Sequence, residues 1–149
     1  ISLWRQLLNS SKDSITIFED DVYSLVDLIE LNQAIFNIPT DFDLVYLGSN
    51  CRKSKLNRKN INGRIFRPFN VRKGAYAYIL SKKGATKLLD SIFPIRIVTG
   101  GIDSILGIHS IKSNLNTYHF YPELCKVDYS FKSDIFNISK PFKAMNAYG

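Results

Sequence analysis

Residues 15–21 read Ile-Thr-Ile-Phe-Glu-Asp-Asp, a short apolar run that leads directly into three consecutive carboxylates. The β-branched residues and the shortness of the run predict a buried strand. Three negative charges at the end of such a strand are costly unless water, a cation or a basic partner receives them. Because ligands of open α/β sheets bind at the carboxyl ends of the strands, we expect a functional site at Glu19, Asp20 and Asp21.

The spacing of these carboxylates indicates which of them act together. In an extended backbone, Glu19 and Asp21 point to one side of the chain and Asp20 points to the other. Two carboxylates on the same side suit a hard cation that prefers oxygen ligands, such as Mg²⁺ or Mn²⁺. The alternative is a solvated acidic turn before the next helix, because acidic residues are favoured near helix N-termini. Both interpretations are open from this stretch alone.

Composition limits the class of protein. The chain has 149 residues, of which 45% are hydrophobic and 22% charged, as expected for one ordinary globular domain or most of one. No apolar run reaches the roughly 18 residues that a transmembrane helix needs, and the first residues do not resemble a cleavable signal peptide. Cys51 and Cys125 are too few for a disulfide framework and form no CxxC pattern, so we expect two unpaired thiols.

The net charge of +7 favours an anionic partner such as a nucleotide, a lipid headgroup, a nucleic acid or an acidic glycan. Nine of the basic residues lie in the segment 52–73, among them Arg58 and Lys59. Few aromatic residues lie between them, which disfavours a surface for stacking nucleic-acid bases. This basic segment is therefore either a solvated loop or a loop that faces phosphate or the acceptor.

Strand and helix patterns alternate along the chain. Ser81 is the expected N-cap of one of the helices, and a loop-rich segment packed on the core is expected from Pro122 onward. The alternation predicts an α/β fold with a largely parallel sheet. The predicted helices cover residues 2–10, 23–36, 82–93 and 103–112, and the predicted strands cover 14–18, 43–48, 64–69, 75–80 and 115–121.

Several sequence blocks resemble, in order, the motifs of one enzyme family. They read SLW at 2–4, FEDDV at 18–22, DLVYLG at 43–48 and AYAYILSKKGA at 75–85, followed by shorter blocks at 102–103, 122–124 and 133–135. Together they resemble glycosyltransferase family 25, the lipooligosaccharide-type and procollagen-type sugar transferases. The N-terminal part of that family, with its first nucleotide-binding strands, has no counterpart here, and the proline usually found just ahead of Asp103 is displaced.

The resemblance implies a single Rossmann-like domain of the GT-A type, of which residues 1–149 form the C-terminal portion. It implies an inverting transfer of a hexose, galactose or glucose, from a UDP-sugar to a glycan, a glycolipid or a collagen-like hydroxylysine acceptor. The expected roles are lipopolysaccharide biosynthesis or collagen glycosylation. The expected cofactor is Mn²⁺ or Mg²⁺, and neither nucleic acid nor a transmembrane segment is expected.

The resemblance also assigns roles to the acidic residues. A divalent ion orients a nucleotide-sugar donor and stabilises the charge that builds up on its diphosphate. Glu19 and Asp21 correspond to the metal-binding element, with Asp21 the more direct ligand. Glu19 or Asp20, together with Asp134, corresponds to the part of the site that binds the donor.

An inverting transfer also needs a carboxylate that takes the proton of the acceptor hydroxyl. Asp103 follows two glycines and opens a predicted helix, so it is the expected base, with helix capping as the alternative explanation. His109 lies in a helical pattern and is expected to be structural. His119 lies in a predicted strand and is considered as a further metal ligand.

Two other classes of function are weighed against the enzyme. A catalytically inactive relative that acts as a binding module is the main alternative, and the absent N-terminal portion favours it. A basic nucleic-acid-binding domain fits the α/β pattern poorly. The sequence does not determine the location, although the cytoplasm, free or at a membrane surface, is favoured over the lumen of the endoplasmic reticulum.

Overall fold

The structure, a computed structural model, describes residues 1–50, 56–68, 74–93 and 101–130, with only the backbone for 56–60. The described part is a mixed α/β fold. Its helices are α1 (Ser2–Asn9), α2 (Leu28–Phe36), α3 (Lys82–Ile92) and α4 (Gly101–Lys112). Its strands are β1 (Ser14–Phe18), β2 (Val22–Ser24), β3 (Leu44–Gly48), β4 (Leu56–Asn60), β5 (Ile65–Pro68), β6 (Ala77–Ser81), β7 (Thr117–Phe120) and β8 (Cys125–Val127).

Six strands form one sheet in the order β1-β6-β3-β7-β5-β4, and β2 pairs with β8 in a separate two-stranded sheet. Within the described part of the large sheet, only β3 and β7 are parallel neighbours. The α/β class is therefore confirmed, but the prediction of a largely parallel sheet is wrong. Strands β1 and β3 do run in the same direction, as expected for strands joined through a helix, but β6 lies antiparallel between them.

The central strand β3 is buried along its whole length and separates two hydrophobic cores. Leu44 and Tyr46 face the core shared with α1, α3 and α4. Val45 and Leu47 face the core shared with α2 and the two-stranded sheet. This alternation follows from the two-residue period of a strand. The apolar run at 43–48 thus forms the buried strand that the sequence predicts. The prediction that the run before Glu19 is also a buried strand is wrong, because β1 is the outermost strand of the sheet, its residues are exposed or half-buried, and Phe18 is 48% exposed.

The N-terminal boundary of α2 differs from the predicted helix over 23–36. The side chain of Asp27 accepts the N–H of Glu30 at 2.8 Å, which caps a helix that begins at Leu28. Residues 22–24, which precede the helix, pair instead with β8. This pairing could not be predicted from the local sequence pattern, because β8 lies far away in the chain. Leu25, Leu28, Ile29, Leu31 and Ile35 form the apolar side of the predicted helix, but Leu28 is 71% and Ile29 70% exposed, so this side is only partly packed on the core.

The four helices have 8 to 12 residues. Within the described ranges, none is long and apolar enough to cross a bilayer. This agrees with the expectation that the sequence has no transmembrane segment. Cys125 on β8 is a buried free thiol, as expected, whereas Cys51 lies outside the described residues.

Helix α3 packs tightly on the start of β3 at Gly84. Its N-cap is Ser81, as predicted, and the Ser81 Oγ accepts the N–H of Gly84 at 3.0 Å. A Cβ atom added at Gly84 would lie 2.2 Å from the carbonyl oxygen of Asp43, which is backbone and has little freedom to move.

We therefore expect Gly84→Ala to lower the free energy of unfolding by about 1–3 kcal/mol, although alanine is the better helix former. The measurement is a urea titration of the variant against wild type. The matched control is Lys83→Ala at the preceding exposed position of α3. An unchanged or increased stability of Gly84→Ala would contradict the packing described here.

Candidate functional site

The acidic residues 19–21 and Asp103 lie at one edge of the large sheet. Strands β1 and β3 both end at this edge, and the register places Phe18 and Gly48 opposite Ala77 at the start of β6. The carboxyl ends of β1, β3 and β7 therefore meet here, because these three strands run in the same direction. This is the part of an α/β sheet where ligands bind.

Asp103 binds the backbone segment that leads into β6. Its Oδ2 accepts the N–H of Gly74 at 2.8 Å and its Oδ1 accepts the N–H of Ala75 at 3.2 Å. The backbone N–H of Glu19 donates to the carbonyl oxygen of the next residue, Tyr76, at 2.9 Å. Residues 74–76 thus hold Glu19 and Asp103 near each other. Asp103 lies in the first turn of α4, and the helix-capping alternative stays a prediction because the residues before Gly101 lie outside the described part of the chain.

Glu19 has a perturbed carboxyl group. Its pKa is raised above the usual value, first by partial burial and then by the negative charges of Asp103, Asp21 and Asp20. Burial and like charges both disfavour the ionised form of a carboxyl group. A cation bound here would reduce the repulsion between these carboxylates. The local electrostatics therefore favour a positively charged ligand.

This shift predicts how Glu19 affects stability. Because the pKa is higher in the folded state, ionisation of Glu19 costs folding free energy at neutral pH. The cost is absent below the unfolded pKa of about 4.3 and appears as the pH rises through the folded pKa. In EDTA, we expect Glu19→Gln to melt at a higher temperature than wild type at pH 7 and to lose this advantage near pH 4.

The control for this comparison is Asp90→Asn, which removes one charge from an exposed position of α3. It should leave the melting temperature nearly unchanged at both pH values. A lower melting temperature of Glu19→Gln at pH 7 would show that ionised Glu19 stabilises the fold.

The chain turns after Glu19, so the extended geometry assumed for the acidic residues does not hold. The N–H of Val22 donates to the carbonyl oxygen of Glu19 at 3.3 Å, and the carbonyl oxygen of Asp21 accepts the N–H of Asp128 at 2.8 Å. The side-chain Oδ1 of Asp21 is buried and has no hydrogen-bond partner among the described residues. A buried polar atom without a partner is costly, and an ion or a water molecule is the usual explanation.

The residues at this edge fit a divalent cation held jointly with a substrate. No three His, Cys, Asp or Glu side chains within residues 1–50, 56–68, 74–93 and 101–130 form a group that could hold a metal by itself. Mg²⁺ is usually bound through one or two carboxylates together with substrate phosphates and water. Glu19 and Asp21 can supply such carboxylates. Asp20 is exposed in the turn between them, and Asp134 lies outside the described residues.

The loop after β7 adds residues that were not assigned a role from the sequence. Burial raises the pKa of Glu123, against the opposing effects of Lys126 and of the Ser49 backbone N–H. The hydroxyl of Tyr129 donates to the Oδ1 of Asn50 at 3.2 Å. The pKa of Tyr129 is raised by burial, and the charges of Glu123 and Asp21 add to this effect. The sequence signal for this part was the block at 122–124.

The two histidines are structural. His119 is fully buried, and burial lowers its pKa to about 4. Its Nδ1–H donates to the carbonyl oxygen of Phe120 at 2.6 Å, and its Nε2 accepts the Ser49 hydroxyl at 2.7 Å. Both ring nitrogens are therefore occupied, and the suggestion that His119 binds a metal is wrong. His109 contacts the Ser91 hydroxyl at 2.6 Å and links α4 to α3, as expected for a structural residue.

The basic segment is only partly described. Arg64 forms an ion pair with Glu30, and Arg67 donates to the Tyr118 hydroxyl at 3.1 Å and lies 3.8 Å from Asp41. These two arginines are therefore engaged within the domain. The side chains of Arg58 and Lys59 lie outside the described part, as do residues 52–55 and 72–73, so the prediction of a phosphate-facing loop stays a prediction.

We compared the chain with protein-family models and with curated proteins. No family model matches the chain, and no curated protein matches it significantly. The resemblance to glycosyltransferase family 25 therefore depends on the sequence blocks given above.

Proposed function

We propose that this protein is a metal-dependent glycosyltransferase with a Rossmann-like fold of the GT-A type. It transfers a hexose from a UDP-sugar to a glycan, a glycolipid or a collagen-like acceptor. The observation that carries the proposal is the carboxylate cluster of Glu19, Asp21 and Asp103 at the sheet edge, in which Asp21 keeps a buried oxygen with no hydrogen-bond partner among the described residues. The ordered sequence blocks support the same assignment.

On the donor side, Glu19 and Asp21 hold Mn²⁺ or Mg²⁺ in this proposal, and Asp20 and Asp134 contact the donor. When bound, the ion supplies charge stabilisation to the departing diphosphate. The contribution of the chain is to hold Glu19 partly buried among other carboxylates, and burial first, then the charges of Asp103 and Asp21, raise the pKa of Glu19. Tyr129 lies near Asp21 and offers a hydroxyl and a ring beside this cluster.

On the acceptor side, Asp103 takes the proton of the attacking hydroxyl. Each of its oxygens accepts one backbone N–H and keeps further acceptor capacity. The two N–H groups fix the orientation of the carboxylate, and a fixed orientation favours a proton transfer that must coincide with bond formation. At Gly101, two residues before Asp103, no described residue outside α4 lies within 4 Å of the position that a Cβ atom would take, which leaves room for an acceptor on this side as far as the described chain goes.

The test is release of UDP from UDP-galactose and UDP-glucose, with Mn²⁺ or with EDTA. Acceptors are a galactose-terminated oligosaccharide and a hydroxylysine peptide. Release that needs both Mn²⁺ and Asp21 supports the enzyme. Metal-dependent binding of UDP without release from either donor would instead identify a binding module that has lost catalysis.

A further inference from the structure

A cavity of about 340 Å³ lies between α2 and the start of β5, away from the carboxylate cluster. Its floor includes Ile65 and Phe120, which belong to the core that packs against α2. Asp103 is in α4, which packs on the opposite face of the sheet. The proposed reaction thus leaves this cavity without a role. Its polar lining consists of Glu30, Gln33, Asn37, Asn62 and Arg64.

The polar lining carries no net charge. The Nη1 of Arg64 lies 2.5 Å from the Oε1 of Glu30, so the guanidinium and the carboxylate compensate each other. The Nε of Arg64 is buried and has no hydrogen-bond partner among the described residues. The Asn62 side chain donates to the carbonyl oxygen of Asn37 at 2.8 Å, which fixes the turn before β5 against the end of α2. The cavity therefore has fixed walls.

The chemistry of the lining selects for a neutral ligand with several hydroxyl groups. Side-chain amides of Gln33, Asn37 and Asn62 offer both donors and acceptors, as hydroxyl groups require. Because the charges of Glu30 and Arg64 compensate each other, the lining offers no net attraction to an anion or to a cation. An apolar ligand would bury these polar groups without partners.

We propose that this cavity binds a neutral hexose unit of a glycan. Its volume lies near the lower end of the range of about 300–1,000 Å³ for ligand pockets, which suits a single sugar ring. Phe36 is 90% exposed and follows Gln33 by three residues on α2, so the two side chains are neighbours on the helix surface. Its ring offers an apolar surface beside the polar lining for the C–H face of a sugar.

The hexose site goes beyond the proposed function and does not depend on it, because it needs neither a metal nor a nucleotide. In the test, ¹⁵N-labelled protein in EDTA is titrated with methyl galactoside and methyl glucoside while its amide signals are followed by NMR. We expect saturable shifts at residues 30–37 and 61–65, with a Kd on the order of 1–10 mM for one sugar ring.

Two variants and one control make the test specific. Gln33→Ala changes an exposed helix position and should weaken sugar binding about fivefold or more, and Arg64→Met should weaken it further. The matched control is Arg67→Met on β5, the strand that Arg64 immediately precedes, where the side chain contacts Tyr118 and does not line the cavity. It should bind sugar like wild type.

Two results would overturn the hexose site. One is the absence of saturable shifts at these amides up to about 100 mM sugar, well above the expected Kd. The other is binding of inorganic phosphate at the same amides in place of sugar, which would assign an anion site. Neither result bears on metal-dependent UDP release, so the hexose site and the transferase activity stand or fall separately.

Discussion

Asp103→Asn is expected to lower sugar turnover by about 100-fold or more while the affinities for UDP and Mn²⁺ stay nearly unchanged. An acceptor hydroxyl is too weak an acid to attack an anomeric carbon unaided, so an inverting transfer depends on a positioned carboxylate. Asparagine keeps one of the two acceptor oxygens but loses the basicity. The measurement is single-turnover sugar transfer together with calorimetry of UDP binding.

The backbone hydrogen bonds of Asp103 mean that the stability of Asp103→Asn must be measured as a control. The asparagine NH₂ group would face the N–H of Gly74 or Ala75, so one of the two backbone hydrogen bonds is lost. This costs on the order of 1 kcal/mol of stability, and the melting temperature must be measured with the activity. Assays therefore run well below the melting temperature of the variant. If turnover survives, the base lies elsewhere, and Asp134 is the next candidate.

Asp21→Ala is expected to abolish most of the difference between UDP affinity in Mn²⁺ and in EDTA. Loss of an outer-shell partner typically costs about 10–100-fold in metal affinity, and loss of a direct ligand should cost at least as much. The measurement is calorimetry of UDP binding with each additive. The matched control is Asp13→Ala, which removes an exposed carboxylate just before the other end of β1.

The melting temperature of Asp21→Ala distinguishes a role of Asp21 in metal binding from a role in stabilising the fold. Its buried Oδ1 has no partner in the described part of the chain, so removing the carboxylate relieves a cost in the absence of metal. We expect Asp21→Ala to melt no lower than wild type in EDTA. UDP affinity in wild type that does not change between Mn²⁺ and EDTA would contradict the metal site, whatever the stability.

The sequence predicted correctly those helices and strands that depend on interactions between residues close together in the chain. Ser81 caps α3 through a side chain three residues away from its partner Gly84, and β3 is an unbroken apolar run between turns. The direction of β6 could not be predicted, because an apolar strand buried on both faces reads the same in either direction. The separate pairing of Val22–Ser24 with β8 joins residues about a hundred positions apart, so no window of sequence contains both.

The same distinction applies to the site. Residues 19–21 were singled out on the premise that a buried strand precedes them, and that premise is wrong, because β1 is the outermost strand of the large sheet and its residues are exposed or half-buried. The backbone partners of Asp103 lie 28 and 29 positions away in the chain, and the proximity of Tyr129 to Asp21 depends on how β8 pairs with β2. Assigning these neighbours required the path of the chain in three dimensions.

Residues 74–76 hold the carboxylate of Asp103 and the backbone of Glu19 through peptide groups alone. Every amino acid except proline supplies a backbone N–H, but Ala75 is only 2% exposed and lies in the hydrophobic core, so side chains much larger than alanine would overpack position 75. Position 74 tolerates far less, because Gly74 has a φ of +67° and an added Cβ atom would lie 2.5 Å from the Asn50 side chain. Tyr76 is buried as well, so each of the three positions is constrained, and the spacing of the acidic groups depends on a stretch of chain that can change little.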